Sequence, residues 1–324
     1  MEILASKTNI KEIFASNWAR FVEKFGPLIR PTVFLNVRKV LLCKEGLGGR
    51  LFICPKCLFS HFVPFTCKSR FCSSCGKIQT DVWMQKTEKS FPNVPYQHVT
   101  FTIPEQLRTM LQCNRAVTLD SLFKAANSAI LKACTPLGYK PLVMAVVHTF
   151  GRNLGFNPHI HVLVSCGGLT PQQTWKKNNY LPHETLKRLW RYNIITALRA
   201  GIKDQTIKNN LPDKVGELLN ELYTKYKNWY VHIGKRLNNS RQVVRYIGRY
   251  TKRPAMASSR ILSFKDDVVT FWYEDHKSGK RIETQLDVLD FIGKLVTHIH
   301  DKHFRQIRYA GLLAPRIKAA ALAL

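Results

Sequence analysis

Residues 141–165 read PLVMAVVHTFGRNLGFNPHIHVLVS, and this segment is the strongest indication of the fold. Residues 141–150 are almost entirely apolar, and a turn with two glycines follows before a second apolar run at His159–Ser165. Two short apolar runs on either side of a turn of this kind are typical of a β-hairpin. We therefore predict two neighbouring antiparallel strands, joined by the turn at 151–157.

Two histidines lie on one face of the second predicted strand. His159 and His161 are two residues apart, and side chains alternate across a strand, so both imidazoles project to the same side. Together they can chelate one divalent ion. The hairpin brings His148 near His159, which makes His148 the candidate for a third ligand, with His98 in reserve. Either of these two could instead be a hydrogen-bonded core histidine.

The rest of the chain mixes strands and helices. Residues 96–104 alternate between apolar and polar side chains, which predicts a third strand with His98 on its polar face. Apolar residues at helical spacing predict helices within 1–40 and 105–135. Further elements are a helix-prone stretch at 171–227, a strand at Trp229–Ile233, a hairpin with arms Val268–Tyr273 and Arg281–Gln285, and a helical remainder. This order predicts an α+β fold with an antiparallel sheet.

Six of the nine cysteines lie between positions 43 and 75. They include two Cys-x-x-Cys knuckles, and paired knuckles in a segment too poor in aliphatic residues for its own core predict a structural Zn²⁺. The predicted ligands are Cys54, Cys57, Cys72 and Cys75. Neighbouring side chains could replace one of these ligands, form part of a second site, or be bystanders: Cys67, Cys43 and His61.

The charge of the chain indicates a polyanionic partner. Fifty Lys and Arg residues against 21 Asp and Glu leave a formal net charge of +29, and nucleic acid is the leading candidate ahead of a membrane surface. No apolar run approaches the ~18–20 residues of a membrane span, and the first residues do not resemble a signal peptide. We therefore expect an intracellular, cytoplasmic protein that does not enter membranes.

A basic segment at 239–253 predicts a helix that carries two tyrosines. Asn239 or Ser240 can serve as its N-cap, and Pro254 ends it. Tyr246 and Tyr250 are four residues apart, so both hydroxyls can reach the same point in space. The alternative is a surface helix with two half-buried tyrosines. The basic residues around the tyrosines are candidate DNA contacts: Arg245, Arg249, Lys252 and Arg253.

A second basic group surrounds the cysteine knuckles. Lys68, Arg70 and Lys77 lie close in sequence to Phe65 and Phe71. Positive charge next to exposed rings suits phosphate contacts and base stacking, and Arg70 is our candidate for DNA binding here. The alternative is a solvated rim on a small fold that forms around zinc.

Four motifs occur along the chain in an order that resembles a known family. They are SRFCSSCG at 69–76, VTFTIP at 99–104, NPHIH at 157–161 and YIGRYTKR at 246–253. The chain is similar over roughly 25–315, including IRYAGLLA at 307–314, to the two-tyrosine rolling-circle transposases of bacterial insertion sequences, the insertion sequence ninety-one family. That family belongs to the HUH (histidine-hydrophobic-histidine) endonuclease superfamily.

The resemblance implies both a fold and an activity. The implied fold is an HUH-type antiparallel sheet flanked by helices and preceded by a small zinc-knuckle domain. The implied domains are 1–95 with the zinc site, 96–265 as the nuclease with a helical insertion at about 171–227, and 266–324 as a hairpin and helical segment.

The implied activity is the nicking and rejoining of single-stranded or hairpin DNA at element ends. Mg²⁺ or Mn²⁺ on the histidines would polarise the phosphodiester, and Tyr246 or Tyr250 would form a 5′-phosphotyrosine link. Such an enzyme would act in the bacterial cytoplasm, in association with the nucleoid.

Two other functions are compatible with parts of the sequence. A rolling-circle replication initiator or relaxase would use the same chemistry at a plasmid origin, although this sequence contains no Walker-type phosphate loop. A zinc-knuckle regulator without catalysis would bind DNA but would have no need of paired tyrosines.

Overall fold

The computed structural model describes residues 9–44, 46–208, 210–225, 229–248, 251, 254–275 and 278–315. Contacts group the chain into two compact units, and each unit is built from separate stretches of sequence. The first unit contains Met1–Asp81, Phe150–Gly155 and Lys252–Phe304, and the second contains Val82–Thr149, Phe156–Thr251 and Arg305–Leu324. The predicted linear domains 1–95, 96–265 and 266–324 are a different division of the chain and stay a prediction. Among the described helices, none has both the length and the apolar character that a membrane crossing requires.

The first unit combines helices with two small antiparallel sheets, β1-β2 and β10-β9-β8. Helix α1 begins with a capping box, in which the Asn9 side chain accepts from the Glu12 backbone and the Glu12 side chain accepts from the Asn9 backbone. The elements are α1 Ile10–Phe25, α2 Pro31–Leu41, β1 Gly49–Ile53, β2 Ser60–Pro64, the start of α3 Ser73–Ser90, β8 Ile261–Lys265, β9 Val268–Glu274, β10 Arg281–Asp287 and α9 Val288–Thr297.

The core of the first unit joins the N-terminal helices to elements that come late in the chain. Phe14 and Phe21 from α1 and Val37 from α2 are buried in one cluster with Phe271 from β9 and Phe291 from α9. Burying aromatic and aliphatic side chains of this size stabilises a fold by about 1.5–3 kcal/mol each. The N-terminal helices therefore depend on residues some 250 positions later for their core.

The second unit is built on a larger sheet with strand order β11-β4-β5-β3-β7 and with β6 beside β5. The described pairings of β3 with β5, β3 with β7 and β4 with β11 are antiparallel, which confirms the predicted α+β fold class. The elements are the end of α3, β3 Tyr96–Thr102, α4 Arg108–Cys113, α5 Arg115–Cys134, β4 Lys140–Phe150, β5 Phe156–Leu169, β6 Trp175–Lys177, α6 His183–Lys203, α7 Val215–Thr224, β7 Tyr230–Leu237, α8 Ser240–Gly248 and β11 Ile307–Gly311.

The two faces of this sheet have different roles. One face carries Val99 and Phe101 of β3, which are fully buried, and the Phe101 ring packs against Trp190 of α6. The opposite face carries Met144 of β4 and Leu163 of β5, which share a cluster with Ile247 of α8. Helices thus cover both faces, and α8 lies on the face that bears the predicted histidines.

Strand β11 is the main departure from the sequence analysis, which placed Ile307–Gly311 in a helical remainder. These residues pair antiparallel with β4 at the edge of the sheet, with Tyr309 opposite Met144. A stretch of five residues has too little periodicity to distinguish helix from strand, and here the free edge of β4 supplies the hydrogen bonds. Strands β1, β2, β6 and β8 were also absent from the prediction, and β6 lies within the stretch 171–227 that was expected to be helix-prone.

The end of β11 generates a stability prediction. Gly311 has a φ of +57°, and a Cβ added there would lie 2.0 Å from the Pro141 carbonyl oxygen. We expect Gly311→Ala to lower the free energy of unfolding by about 2 kcal/mol or more, because it combines backbone strain with overpacking. Gly279→Ala is the matched control, since Gly279 has a φ of +66° but no atom within 4 Å of the added Cβ. If urea denaturation shows the same loss of unfolding free energy in both variants, close contact with the Pro141 carbonyl is not the cause.

Candidate active site and metal centres

Three histidines of the second unit form one cluster. His148 lies on β4, His159 and His161 lie on β5, and one ring nitrogen from each lies within 4.8 Å of the other two. The ring centroids are 4.8 Å apart for His159 and His161 and 5.0 Å apart for His148 and His161. The structure therefore brings together the two histidines that strand alternation paired and the third that the hairpin suggested.

Hydrogen bonding and burial set the state of these rings. His159 Nδ1 lies 2.6 Å from the Asn157 carbonyl oxygen, which can only accept, so Nδ1 carries the proton and Nε2 keeps its lone pair. Burial lowers the pKa of His159 and lowers the pKa of His161 well below its ordinary value of 6.5, with neighbouring charges adding to both effects. Neutral imidazoles are the form that binds metal ions.

The lowered pKa values also have a consequence for stability. The unfolded chain takes up protons on these histidines near pH 6.5, whereas the folded unit takes them up only at lower pH. The unfolded state then binds more protons, so the metal-free unit loses stability as the pH falls below about 6.5.

The donor set fits a divalent transition-metal ion. Imidazole nitrogens are typical ligands of such ions, whereas Mg²⁺ takes oxygen ligands and retains several waters. Three nitrogens within 4.8 Å of one another are close enough to bind one ion. Of the two ions named in the sequence analysis, this donor set favours Mn²⁺ over Mg²⁺.

A hydrogen-bonded chain connects Tyr246 to this cluster. The Tyr246 hydroxyl lies 3.2 Å from His98 Nδ1, and His98 Nε2 lies 2.9 Å from His161 Nδ1. Thr100 Oγ1 lies 3.3 Å from the same His161 nitrogen and 3.4 Å from His98 Nε2. His98, the reserve ligand, is therefore positioned between the tyrosine and the cluster. Thr100 was not among the predicted site residues, although it shares the polar face of β3 with His98.

Helix α8 holds Tyr246 against the sheet. The Asn239 side chain accepts from the Gln242 backbone at 2.9 Å, so Asn239 is one of the two residues expected to cap this helix. Val243 and Ile247 are fully buried in the cluster that covers the sheet. A Cβ on Gly248 would lie 2.3 Å from the Met84 sulfur, so glycine allows α8 to pack closely at this point.

The remaining candidates for DNA contact or attack are only partly described. Arg245 is exposed on α8, and Arg70 is half-buried, with burial lowering the pKa of its guanidinium. Four predicted residues lie outside the described residues: Arg249, Tyr250, Lys252 and Arg253.

The first unit contains a buried group of four cysteines, Cys43, Cys67, Cys72 and Cys75. Cys75 Sγ lies 3.6 Å from Cys43 Sγ and 3.5 Å from Cys67 Sγ, and Cys72 Sγ lies 4.0 Å from Cys43 Sγ. A tetrahedral zinc ion with Zn–S bonds of about 2.3 Å separates its sulfurs by about 3.8 Å. The geometry of the thiols therefore fits a structural Zn²⁺.

This group differs from the predicted ligand set, which stays a prediction. Cys72 and Cys75 belong to it, but its other members are the two alternatives, Cys43 and Cys67, rather than Cys54 and Cys57. The antiparallel pairing of β1 with β2 explains the difference, because its five-residue strands carry Cys54 and Cys57 about 17 Å away to the tip of the hairpin. At the base of the hairpin, the Lys44 amide donates to the Phe65 carbonyl, which brings the chain near Cys43 alongside that near Cys67.

The third alternative ligand, His61, is exposed on β2 opposite Phe52 and is not part of the four-cysteine group.

Comparisons with known proteins identify relatives of this chain. Residues 143–321 match a family model described as "Putative transposase", and residues 13–103 match one described as "Transposase zinc-binding domain". The transposase for insertion sequence element IS801 of Pseudomonas savastanoi pv. phaseolicola is 32% identical over 95% of this chain and 77% of its own length. This chain belongs to the IS91/IS801 family of transposases.

A second family member extends the similarity. The protein described as "Putative transposase y4qJ" of Sinorhizobium fredii is 29% identical over 87% of this chain and 74% of its own length. No solved structure matches the chain. In this IS91/IS801-family transposase, the histidine cluster lies within the transposase match, and the four-cysteine group lies within the zinc-binding match.

The cysteine geometry predicts the outcome of two matched substitutions. We expect the native protein to bind about one structural zinc ion through the buried group, and Cys72→Ser to lose it because a structural site needs all four ligands. Cys54→Ser makes the same chemical change at the hairpin tip and should retain that zinc. Metal analysis of the purified proteins checks both results. Loss of zinc in Cys54→Ser would instead support the ligand set predicted from the sequence, in which Cys54 and Cys57 bind the ion with Cys72 and Cys75.

The histidine cluster predicts a separation of cleavage from DNA binding. Replacing His159 and His161 with Ala should lower the cleavage rate at least about a hundredfold, because a divalent ion held by the cluster would lose two of its ligands. DNA affinity should change little, since the charge of +29 supplies most of it. Added Mn²⁺ should support wild-type cleavage better than Mg²⁺. His183→Ala, which alters a half-exposed histidine outside the cluster, is the control and should cleave at the wild-type rate. Wild-type cleavage in the double variant would show that the histidine cluster is not the site of cleavage.

Proposed function

We propose that this transposase nicks and rejoins single-stranded DNA at the ends of an insertion sequence through a 5′-phosphotyrosine intermediate. The observation that carries the proposal is the chain of contacts from the Tyr246 hydroxyl through His98 to His161 of the histidine cluster. A tyrosine hydroxyl connected to a group of three histidines that can bind an ion has the arrangement of an activated nucleophile.

The proposed reaction exchanges one phosphate ester for another. The Tyr246 hydroxyl gives up its proton to solvent and its oxygen attacks phosphorus. The bond between phosphorus and the 3′-oxygen breaks, and that oxygen takes a proton from solvent and leaves as a free 3′-OH. The new tyrosine–phosphate bond retains the energy of the broken bond. A 3′-OH on the same or another strand can reverse the step, so rejoining needs no ATP.

The protein's own residues prepare the nucleophile. Burial keeps His161 neutral, so its ring carries a single proton. If Nε2 is the metal ligand, that proton lies on Nδ1 and is donated to His98 Nε2, 2.9 Å away. His98 then carries its proton on Nδ1 and donates it to the Tyr246 oxygen at 3.2 Å. This relay favours negative charge on the attacking oxygen.

His148, His159 and His161 would hold the ion. When bound, a divalent ion polarises the scissile phosphodiester and stabilises the charge that develops on it. His159 is oriented for this role by its bond to the Asn157 carbonyl. We retain Tyr250 as the proposed second nucleophile, because two successive attacks allow one tyrosine to hold a DNA end while the other cuts.

The substrate follows from charge as well as from family. The surplus of +29 favours a polyanion, and Arg245 is exposed on the helix that carries Tyr246. Unpaired or hairpin DNA at element ends is the proposed form, since the attacking tyrosine needs an accessible phosphodiester. Activity on such DNA would take place at the bacterial nucleoid, in the cytoplasm.

The direct test is a covalent adduct with labelled single-stranded DNA from the element ends. Tyr246→Phe removes only the hydroxyl and should lower adduct formation at least about a hundredfold if Tyr250 cannot replace it, with the free energy of unfolding nearly unchanged. Double substitution of Tyr246 and Tyr250 with Phe should abolish the adduct. Denaturing gels that retain the label on protein check this result.

Two controls separate the roles. Tyr230→Phe removes a hydroxyl from an exposed tyrosine of β7 and should leave adduct formation intact. His98→Ala should reduce the adduct on the order of tenfold to a hundredfold without changing DNA affinity, as expected for a residue that orients the nucleophile. An adduct in the double-Phe variant would show that another residue is the nucleophile. Complete absence of an adduct in the wild type would favour a noncatalytic DNA-binding regulator.

A further inference from the structure

The β1-β2 hairpin exposes large apolar side chains on both of its faces. Leu51, paired with Phe62, lies on one face with Ile53, and these three side chains are 59%, 54% and 58% exposed. The other face carries Phe52, 55% exposed, and Val63, 42% exposed. A two-stranded ribbon is only marginally stable in water, and exposed apolar patches of this kind mark binding surfaces.

The exposure increases toward the tip of the hairpin. Leu58 and Phe59 are 76% and 68% exposed in the turn that connects β1 and β2. The turn is closed by hydrogen bonds from the Cys54 amide to the Phe59 carbonyl and from the Leu58 amide to the Cys54 carbonyl, each 2.9 Å. The backbone therefore presents these apolar side chains in a defined conformation.

The base of the hairpin is fastened to the four-cysteine group. Cys43 precedes β1 and Cys67 follows β2, and the Cys67 amide donates to Cys43 Sγ at 3.4 Å. The Phe65 amide also donates to the Gly48 carbonyl at 2.8 Å. The cluster thus stabilises one end of the ribbon and leaves its apolar faces and tip available.

Charge indicates what covers this surface. Residues 46–80 contain five Lys or Arg and no Asp or Glu. Arg50 is on the ribbon opposite Val63, and Lys56 lies in its tip. An apolar protein partner would gain nothing from this uniform positive charge, whereas nucleic acid combines phosphates for the cations with flat bases for the rings.

We propose that the β1-β2 hairpin is a binding site for unpaired DNA bases, which stack on Phe52, Phe59 and Phe62 while Arg50 and Lys56 contact the neighbouring phosphates. Bases in a duplex are already stacked on one another, so the ribbon binds single strands in preference to duplex. The proposal rests on the proposed function for its DNA substrate. It adds a second DNA contact in a unit that contains no part of the histidine cluster.

The test measures equilibrium binding of the zinc-loaded full chain to fluorescent single-stranded and duplex oligonucleotides, with no catalytic metal added. Phe52→Ala and Phe59→Ala should each weaken single-strand binding on the order of fivefold to a hundredfold, as loss of one stacked base predicts, and duplex binding should change less than about twofold. Tyr180→Ala removes a 65% exposed ring from the second unit and should leave both affinities unchanged.

A second pair of variants distinguishes stacking from general apolar contact. Phe52→Leu and Phe59→Leu keep an apolar side chain but lose the ring, so they should weaken single-strand binding about as much as the Ala variants do. Zinc content should stay at the wild-type value in all four variants, which shows that the first unit remains folded. Full affinity in the Leu variants would overturn base stacking.

Three other results would also overturn the proposal. The first is an unchanged single-strand affinity in a Phe52→Ala/Phe59→Ala double variant, and the second is an equal loss of affinity for duplex and for single-stranded DNA. The third is that the substitutions weaken binding of the protein to vesicles of anionic lipid but leave its DNA affinity unchanged. Covalent adduct formation is measured separately on the same proteins. If the wild type forms no adduct but its single-strand binding depends on the hairpin, the proposed function is rejected and the hairpin site is supported. If the wild type forms adducts and the variants bind single strands as well as the wild type does, the hairpin site is rejected and the proposed function is supported.

Discussion

The register between β3 and β5 pairs Thr100 with His161 and Thr102 with His159, and the arrangement of the candidate active site depends on it. Side chains alternate across strands, so this pairing places His98, Thr100, His159 and His161 on one face of the sheet. If the register shifted by one residue, the polar side chains of one strand would point into the apolar core on the opposite face of the sheet. The fully buried Val99, on the other face, opposes such a slip because burying a polar group in its place is costly.

The same register explains how a helix can deliver a nucleophile to the sheet. Helix α8 is held by apolar residues that join the cluster on this face, and Tyr246 projects from it toward His98. Because α8 packs on the sheet rather than on a loop, the distance from the hydroxyl to His98 is set by core packing. Residues on rigid elements keep reactive groups in place more closely than loop residues do.

The cysteine group performs a comparable task in the first unit. It joins the end of α2, the base of the β1-β2 hairpin and the start of α3, three segments whose own apolar residues are too few for a core. A metal ion on four thiolates can replace such a core, since its binding energy is gained only when the ligands come together. One consequence is that the hairpin can present apolar side chains to a ligand instead of burying them.

Local pattern was enough to predict several parts of this protein. Alternation placed His159 and His161 on one strand face, and the spacing in 239–253 predicted the helix with Tyr246 and an N-cap at Asn239 or Ser240, of which Asn239 is the cap. These features depend on neighbours within a few residues, where strand and helix periods act directly. The excess of Lys and Arg, which favours a DNA substrate, is likewise a property of composition alone.

Other features required the tertiary structure. Six clustered cysteines are compatible with several sets of four, and only the pairing of β1 with β2 separates Cys54 and Cys57 from the buried group. The contact between Tyr246 and His98 joins residues 148 positions apart, and β11 is a strand because β4 offers it an edge. Such contacts are chosen by the total burial and hydrogen bonding of the folded chain, which no local period contains.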